Sequence, residues 1–274
     1  MTLDLHCHTT HSDGRLTPEA LHALAVKKKL SLLALTDHDT VAGHEALKPL
    51  LESSGITFIP GIELTTAENG ESIHILGYFP DDRYQDPEFL ATLEHLFTSR
   101  NTRMEKMIHL LKEHFDLEID YAALRAKSAG VLTRANLAQA VHAKVPHLTY
   151  NEAFMKYLDK SSPAYVPNVR LSVKEGLDLL HQYGAVAILA HPVIYKKNSL
   201  ESLLTHPFDG VECYYPLNDE AMTLTSLKAA RERNLLITAG SDYHGIPQDV
   251  KHGELASTTF SPEDLQPFLQ RFTP

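Results

Sequence analysis

Leu32-Leu33-Ala34-Leu35-Thr36-Asp37-His38-Asp39 joins two features that a parallel sheet needs in this order. Its first half is a short continuous apolar run, the pattern of a strand buried on both faces. Its second half places polar, chemically competent side chains at the carboxyl end, where α/β folds collect their working groups. The flanking chain repeats the arrangement. Thr17 as N-cap with Pro18 at the first helical position starts a helix running to about residue 29, and a second helix spans about 41–54 and stops at Gly55. Residues 57–62 follow as a third strand ending on Glu63. Upstream of all of these, Leu3, Leu5 and Cys7 alternate with Asp4, His6 and His8, so both histidines share one strand face. Imidazoles about 7 Å apart on such a face can converge on one cation. An isolated His-x-His fits an ordinary surface strand equally well, and the rest of the chain has to decide.

Composition narrows the classes. With 274 residues the chain can hold one large α/β domain or a domain with an inserted partner. A net charge of −10 argues against a broad basic surface for long duplex nucleic acid or anionic lipid. Two cysteines, Cys7 and Cys213, are too few for a disulfide framework and suit a reducing compartment. No apolar stretch approaches the roughly 20 residues needed to span a bilayer. The amino terminus runs into a strand with no signal-peptide pattern, so a cytoplasmic location is expected.

Further along, residues 64–67 and 72–77 flank Asn69-Gly70, a strong hairpin signal, with His74 on the returning strand. Residues 81–162 change to helical periodicity: one long helix at 87–113, then shorter ones at 121–126, 134–143 and 151–158. We therefore expect two segments, 1–80 and 163–274, to form the α/β domain, with 81–162 inserted as a helical cap. Alternation then resumes. A helix at 173–183, a strand at 185–189 leading into Ala190-His191-Pro192, and a strand at 211–213 are followed by a helix at 219–233. The strand 235–239 ends in Gly240-Ser241-Asp242-Tyr243-His244, and 262–272 forms a closing helix.

Collecting the strand-end and strand-face groups gives His6, His8, Asp13, His38, Glu63, His74, His191, Asp242 and His244. Six imidazoles and three carboxylates exceed what one tetrahedral zinc requires and suit two or three divalent ions with bridging carboxylates. Each residue alone has a blander role, Asp13 before Gly14 as a turn residue for instance, but nine at corresponding strand ends form a pattern. Asp37 and Asp39 read as groups that orient ligands. The remaining histidines, His252 among them, read as surface or structural residues.

The motifs Asp4-Leu5-His6-Cys7-His8, Ser12-Asp13-Gly14, Thr36-Asp37-His38-Asp39, Gly61-Ile62-Glu63, His74-Ile75-Leu76-Gly77, Ala190-His191-Pro192 and Gly240-Ser241-Asp242-Tyr243-His244 resemble those of the PHP (polymerase and histidinol phosphatase) superfamily in order and spacing. Leu132-Thr133-Arg134, Ala164-Tyr165-Val166-Pro167 and the helical insertion resemble a bacterial branch of small phosphoesterases. That branch includes 3′,5′-nucleotide bisphosphate phosphatases and a 5′-to-3′ oligoribonuclease.

The resemblance implies a distorted (β/α)7 TIM-like barrel and a trinuclear site of manganese, iron or zinc. By motif, His6, His8, Glu63 and Asp242 hold one ion, Glu63, His74 and His191 a second, and Asp13, His38 and His244 a third, with Glu63 bridging. It further implies hydrolysis of a phosphate ester by a metal-bridging hydroxide, on a small phosphorylated nucleotide or the 5′ end of short RNA. Arg134 and Tyr165 fall at the substrate, and either a metal-bound water or a histidine such as His191 assists the leaving oxygen. Histidinol-phosphate or cyclic-phosphodiester hydrolysis on the same ions is the alternative within enzymes, and a non-catalytic metal-binding module is the alternative outside them. Ser161-Ser162-Pro163 stands where branch members often carry a lysine.

Overall fold

The computed structural model describes residues 1–127, 134–167 and 170–272. Leu132 and Thr133 of the arginine motif lie outside the described residues, as do the parts of the expected cap and closing segment at 128–131, 168–169 and 273–274. The strands are β1 (Leu3–Asp4), β2 (Leu32–Leu35), β3 (Thr57–Glu68), β4 (Glu71–Tyr78), β5 (Leu171–Ser172), β6 (Val186–Leu189), β7 (Gly210–Tyr214) and β8 (Leu236–Ala239). The helices are α1 (Pro18–Lys27), α2 (His44–Ser53), α3 (Pro87–Phe115), α4 (Tyr121–Lys127), α5 (Arg134–Lys144), α6 (Tyr150–Tyr157), α7 (Val173–Gln182), α8 (Leu200–Leu203), α9 (Glu220–Glu232) and α10 (Pro262–Leu269).

The chain divides into two compact units, one of Met1–Leu90 with Arg170–Pro274 and one of Ala91–Val169. In the first, the sheet runs β1-β2-β3-β4-β6-β7-β8, with β5 paired to β3. Pairing is parallel from β1 to β3 and from β6 to β8, while β4 is antiparallel to both neighbours. The mixed, parallel-rich α/β class is therefore established. The ladder leaves β1 and β8 at its ends, but the segments that follow them meet: Cys7 and Tyr243 form a parallel bridge. His8 N–H donates to Tyr243 O at 2.9 Å and Tyr243 N–H to His6 O at 3.2 Å.

One strand differs from its sequence pattern in a way that matters. Residues 57–62 do not end at Glu63; β3 continues to Glu68 because it pairs with β4 across Asn69-Gly70, whose φ values of 48° and 74° make the left-handed two-residue turn that matches strand twist. Glu63 is thus mid-strand. It still lies level with the end of β2, since His38 bridges to it. Strand β5 and helix α8 were not foreseen, being too short to show a period.

The helices begin where side chains satisfy their free N–H groups. Thr17 accepts from Ala20 N–H at the start of α1, and Ser172 and Glu175 form a capping box on α7. Leu21 and Ala25 of α1 and Leu47 and Leu51 of α2 bury against Leu33 and Leu35. In the second unit Met104, Met107, Leu111, Leu137, Val141 and Leu158 form a separate core. Among the described residues no helix is long and apolar enough to cross a membrane.

Candidate metal centre

All nine residues expected as ligands lie in the first unit, and side-chain contacts link them. His6 and His8 point Nε2 at the same two carboxylates: His6 Nε2 is 3.2 Å from both Glu63 Oε2 and Asp242 Oδ1, and His8 Nε2 is 3.1 Å from both. His38 Nδ1 stands 3.2 Å from Glu63 Oε2. The other Glu63 oxygen meets His74 Nδ1 at 2.8 Å and His191 Nε2 at 2.9 Å. Asp13 faces His244 Nε2 at 3.1 Å and His38 Nε2 at 3.7 Å. Gly240 permits the approach of β8 to β1, because a Cβ there would lie 2.3 Å from His6 Cβ.

The groups whose donor atoms share one locus are His6/His8/Glu63/Asp242, His8/Asp13/His38/His244, His38/Glu63/His74 and Asp242/His244/His252. The first is the set expected for one ion. The second adds His8 to the Asp13 set, and in the third His38 stands beside Glu63 and His74 where His191 was expected. Two residues were overlooked in the sequence. His252 stacks on His244 with centroids 4.0 Å apart, and its Nδ1 lies 2.6 Å from Asp249. Glu212, mid-strand in β7, is fully buried. A lone histidine in an irregular loop and one acid between Val211 and Cys213 carry no motif that could have flagged them.

The fit to divalent cations rests on the donor atoms. Buried His6 Nε2, His8 Nε2, His38 Nδ1, Glu63 Oε2 and Asp242 Oδ1 make no hydrogen bond and have one another as close partners, at 3.1–3.2 Å. Such atoms are costly to bury unless something else satisfies them, and imidazole nitrogens interleaved with carboxylates are a donor set for zinc, manganese or iron. Electrostatics agree. Burial pulls the His6 and His8 imidazoles down, but the facing carboxylates more than reverse it. His6 ends well above its ordinary value and His8 is pushed up to about 10. Burial would raise Glu63 and Asp242, yet the surrounding imidazoles hold both carboxyls well below the usual carboxylate range.

The ligands are held by their neighbours. Asp37, buried behind the site, accepts from Thr9 N–H and Thr9 Oγ1, both at 2.7 Å, and from Ser12 Oγ at 2.6 Å, fixing the turn that carries Asp13. Asp39 accepts from Thr65 N–H at 2.7 Å and Thr65 Oγ1 at 2.8 Å. Tyr215 donates its hydroxyl to Asp242 Oδ2 at 3.0 Å. The expected substrate residues lie in the second unit, where they meet each other: the Arg134 guanidinium sits 5.5 Å from the Tyr165 ring and 5.4 Å from that of Phe154, and donates to Leu158 O at 3.3 Å.

A parallel-rich sheet that gathers imidazoles and carboxylates into one buried cluster defines a protein built to work with divalent cations. The chain belongs to the PHP domain family, whose model matches residues 4–165. It is 33% identical over 255 residues to the 5'-3' exoribonuclease Rnm of Salmonella typhimurium, covering 88% of this chain and 84% of that one. It is 28% identical over 265 residues to the 3',5'-nucleoside bisphosphate phosphatase of Chromobacterium violaceum, with 92% and 91% covered. A solved structure from Bifidobacterium adolescentis, assigned as a metal-dependent phosphoesterase, superposes with a TM-score of 0.75 at 26% identity over 99% of this chain and 96% of its own.

Proposed function

We propose that the protein is a metal-dependent phosphoesterase that hydrolyses a phosphate ester of a small phosphorylated nucleotide, such as a 3′,5′-bisphosphate, or of the 5′ end of short RNA. The observation that carries this reading is the meeting of His6, His8, Glu63 and Asp242 donor atoms at one locus, with His38 and His74 sharing Glu63 at a second, in a chain whose family relatives are named for phosphate-ester hydrolysis. The site takes three divalent ions, manganese first and iron or zinc next. His6, His8, Glu63 and Asp242 hold one, Glu63 and His74 with His191 another, and Asp13, His38 and His244 the third. We read the sheet, with its ends joined at Cys7 and Tyr243, as a distorted (β/α)7 barrel, residues 81–162 as a helical insertion in its chain, and the protein as cytoplasmic.

Divalent ions held by these residues would activate water near neutral pH and polarise a phosphoryl group. The chain supplies the rest. Glu63, with an oxygen on each side of the cluster, ties the ligands together, and the imidazoles remain neutral ligands beside three carboxylates, so that the loaded site favours an anion. Arg134 carries a permanent fork of donors suited to a phosphate, and the faces of Tyr165 and Phe154 hold its guanidinium. His191, whose Nε2 is already committed to Glu63, serves mainly as a ligand.

The test is phosphate or nucleotide release by metal-loaded protein from 3′,5′-bisphosphates, 5′-phosphorylated short RNA, cyclic phosphodiesters and histidinol phosphate. Turnover of the first two is expected to exceed the others, and no turnover of any would refute the proposal. Arg134→Ala is expected to lower kcat/KM by roughly 10–100-fold, the loss of a charge-assisted hydrogen bond of about 1.5–3 kcal/mol.

A further inference from the structure

Glu212 is a carboxylate with no place in the ligand set, yet it is wholly inaccessible and makes two bonds that reach separate parts of the centre. It projects from β7, where Val211 and Cys213 on the alternate positions are also fully buried. Its Oε1 lies 3.0 Å from His6 Nδ1, and its Oε2 accepts the backbone N–H of His191 at 2.8 Å. His6 is its only ion-pair partner among the described residues. A buried carboxylate needs such partners to be tolerated, and these two are specific. Residue His191 sits at φ 26°, ψ 62°, a left-handed conformation that a non-glycine residue adopts only when its surroundings enforce it.

The 3.0 Å contact of Glu212 Oε1 with His6 Nδ1 is a hydrogen bond to a carboxylate oxygen when His6 carries its proton on Nδ1. That leaves the Nε2 lone pair facing Glu63 and Asp242, where an ion would be held. The opposite tautomer would set a nitrogen lone pair against Glu212 and close the ligand face with a proton. Histidines that bind metals are generally oriented in this way by a group on the far nitrogen.

We propose that Glu212 is a positioning residue of the metal centre: it fixes the tautomer and plane of His6 and, with its second oxygen, the strained backbone of His191, so that two ligands from β1 and β6 are set by one side chain. The proposal rests on His6 being a metal ligand. Glutamine at this position offers one acceptor oxygen beside an NH2 donor, so either one of the two bonds fails or the NH2 donates to His6 Nδ1 and holds the tautomer whose Nε2 proton closes the ligand face.

The experiment measures Zn²⁺ binding to the metal-free full chain by titration calorimetry, with bound metal counted by elemental analysis, for wild type, Glu212→Gln and Glu212→Asp. Glu212→Gln is expected to weaken the tightest Zn²⁺ by roughly 10–100-fold, with Glu212→Asp intermediate. The melting temperature of the metal-free Gln variant should fall through the lost buried bond, and the rise caused by Zn²⁺ should shrink in addition. A purely structural role would lower both forms equally and leave that rise unchanged, and unchanged Zn²⁺ affinity would likewise overturn the proposal. Nitrogen-15 spectra of the Zn²⁺-loaded wild type provide a test that needs no variant: His6 should show a protonated Nδ1 and a metal-bound Nε2, and the reverse assignment would overturn it. If wild type binds no Zn²⁺, the metal reading itself fails; if it binds normally and Glu212→Gln does too, only the role of Glu212 fails.

Discussion

Loading the metal-free protein at pH 7.5 should release at least one proton per chain, because ions displace protons from ligand atoms. Without metal, the carboxylates Glu63 and Asp242 keep His6 well above its ordinary value and His8 up to about 10. The His8 ring is then protonated at neutral pH and His6 is biased the same way, each with Nε2 directed at those carboxylates. A cation on Nε2 must displace each of those protons, while the Nδ1 proton of His6 stays on Glu212. Titrating Mn²⁺ in two buffers of different ionisation enthalpy at one pH gives the proton count directly. A count indistinguishable from zero would refute both the protonation pattern and the placement of ions on these rings.

The same displacement sets the pH dependence of affinity. For each proton displaced, the dissociation constant should tighten about tenfold per pH unit below the ring pKa, equivalent to roughly 1.4 kcal/mol. The stability of the metal-free form has the opposite slope. A histidine raised in the folded state contributes stability that is fully present below its unfolded value near 6.5 and is lost as pH rises through the folded value. For His8 that window runs from about 6.5 to about 10. The melting temperature of the metal-free protein should therefore fall across this window while that of the loaded protein does not. A rise would contradict the structure.

His252→Ala should weaken the least tightly held ion by roughly tenfold, about 1.4 kcal/mol, since Asp249 holds the far nitrogen while Nε2 stands 3.9 Å from Asp242; identical Mn²⁺ titrations for wild type and variant would remove His252 from the centre. Gly70→Ala should cost about 1 kcal/mol of stability by placing a Cβ at φ 74°, read as a shift in denaturant midpoint, with metal stoichiometry unaffected. Asp37→Ala strips three bonds from the Thr9–Ser12 turn. It should cost about 1–3 kcal/mol and loosen the ion at Asp13 more than the one at His6, a selectivity that competitive titration with a metal indicator resolves.

That nine ligand-type residues meet in one buried cluster was legible in the sequence, whereas which of them share a locus was not. Strand ends at Thr36-Asp37-His38 and Ala190-His191-Pro192 announce themselves through the switch from apolar to polar side chains, because the chemistry of a parallel sheet gathers at one rim. The partition depends on inter-strand register, which no local pattern encodes. His38 bridges to Glu63 because β3 runs on past the end of β2, and that extension comes from pairing with β4 across Asn69-Gly70. The turn was visible, but its consequence for Glu63 was not. Glu212 was invisible for another reason. In β7 it stands between Val211 and Cys213 in a strand buried on both faces, where an acid normally argues for exposure, and only proximity to His6 and His191 reverses that inference.

Glu63 shows why so much polarity can be buried in one place. Its two oxygens lie 2.8–3.2 Å from nitrogens of five imidazoles, His6, His8, His38, His74 and His191, although the side chain has no solvent exposure. Without metal, the arrangement survives by protonating some of those rings, so the carboxylates take protons as stand-ins for cations. With metal, the same nitrogens become neutral ligands and the positive charge moves onto the ions. The cluster is therefore charge-compensated in both states, which lets the sheet fold around it before any ion arrives and leaves the donor atoms already placed when one does. A protein of this design should fold metal-free, bind divalent ions with little change in secondary structure, and gain its main stabilisation above the pH at which the rings lose their protons. Circular dichroism that changed from unfolded to folded on adding Mn²⁺ would show instead that the cluster cannot be assembled without its ions.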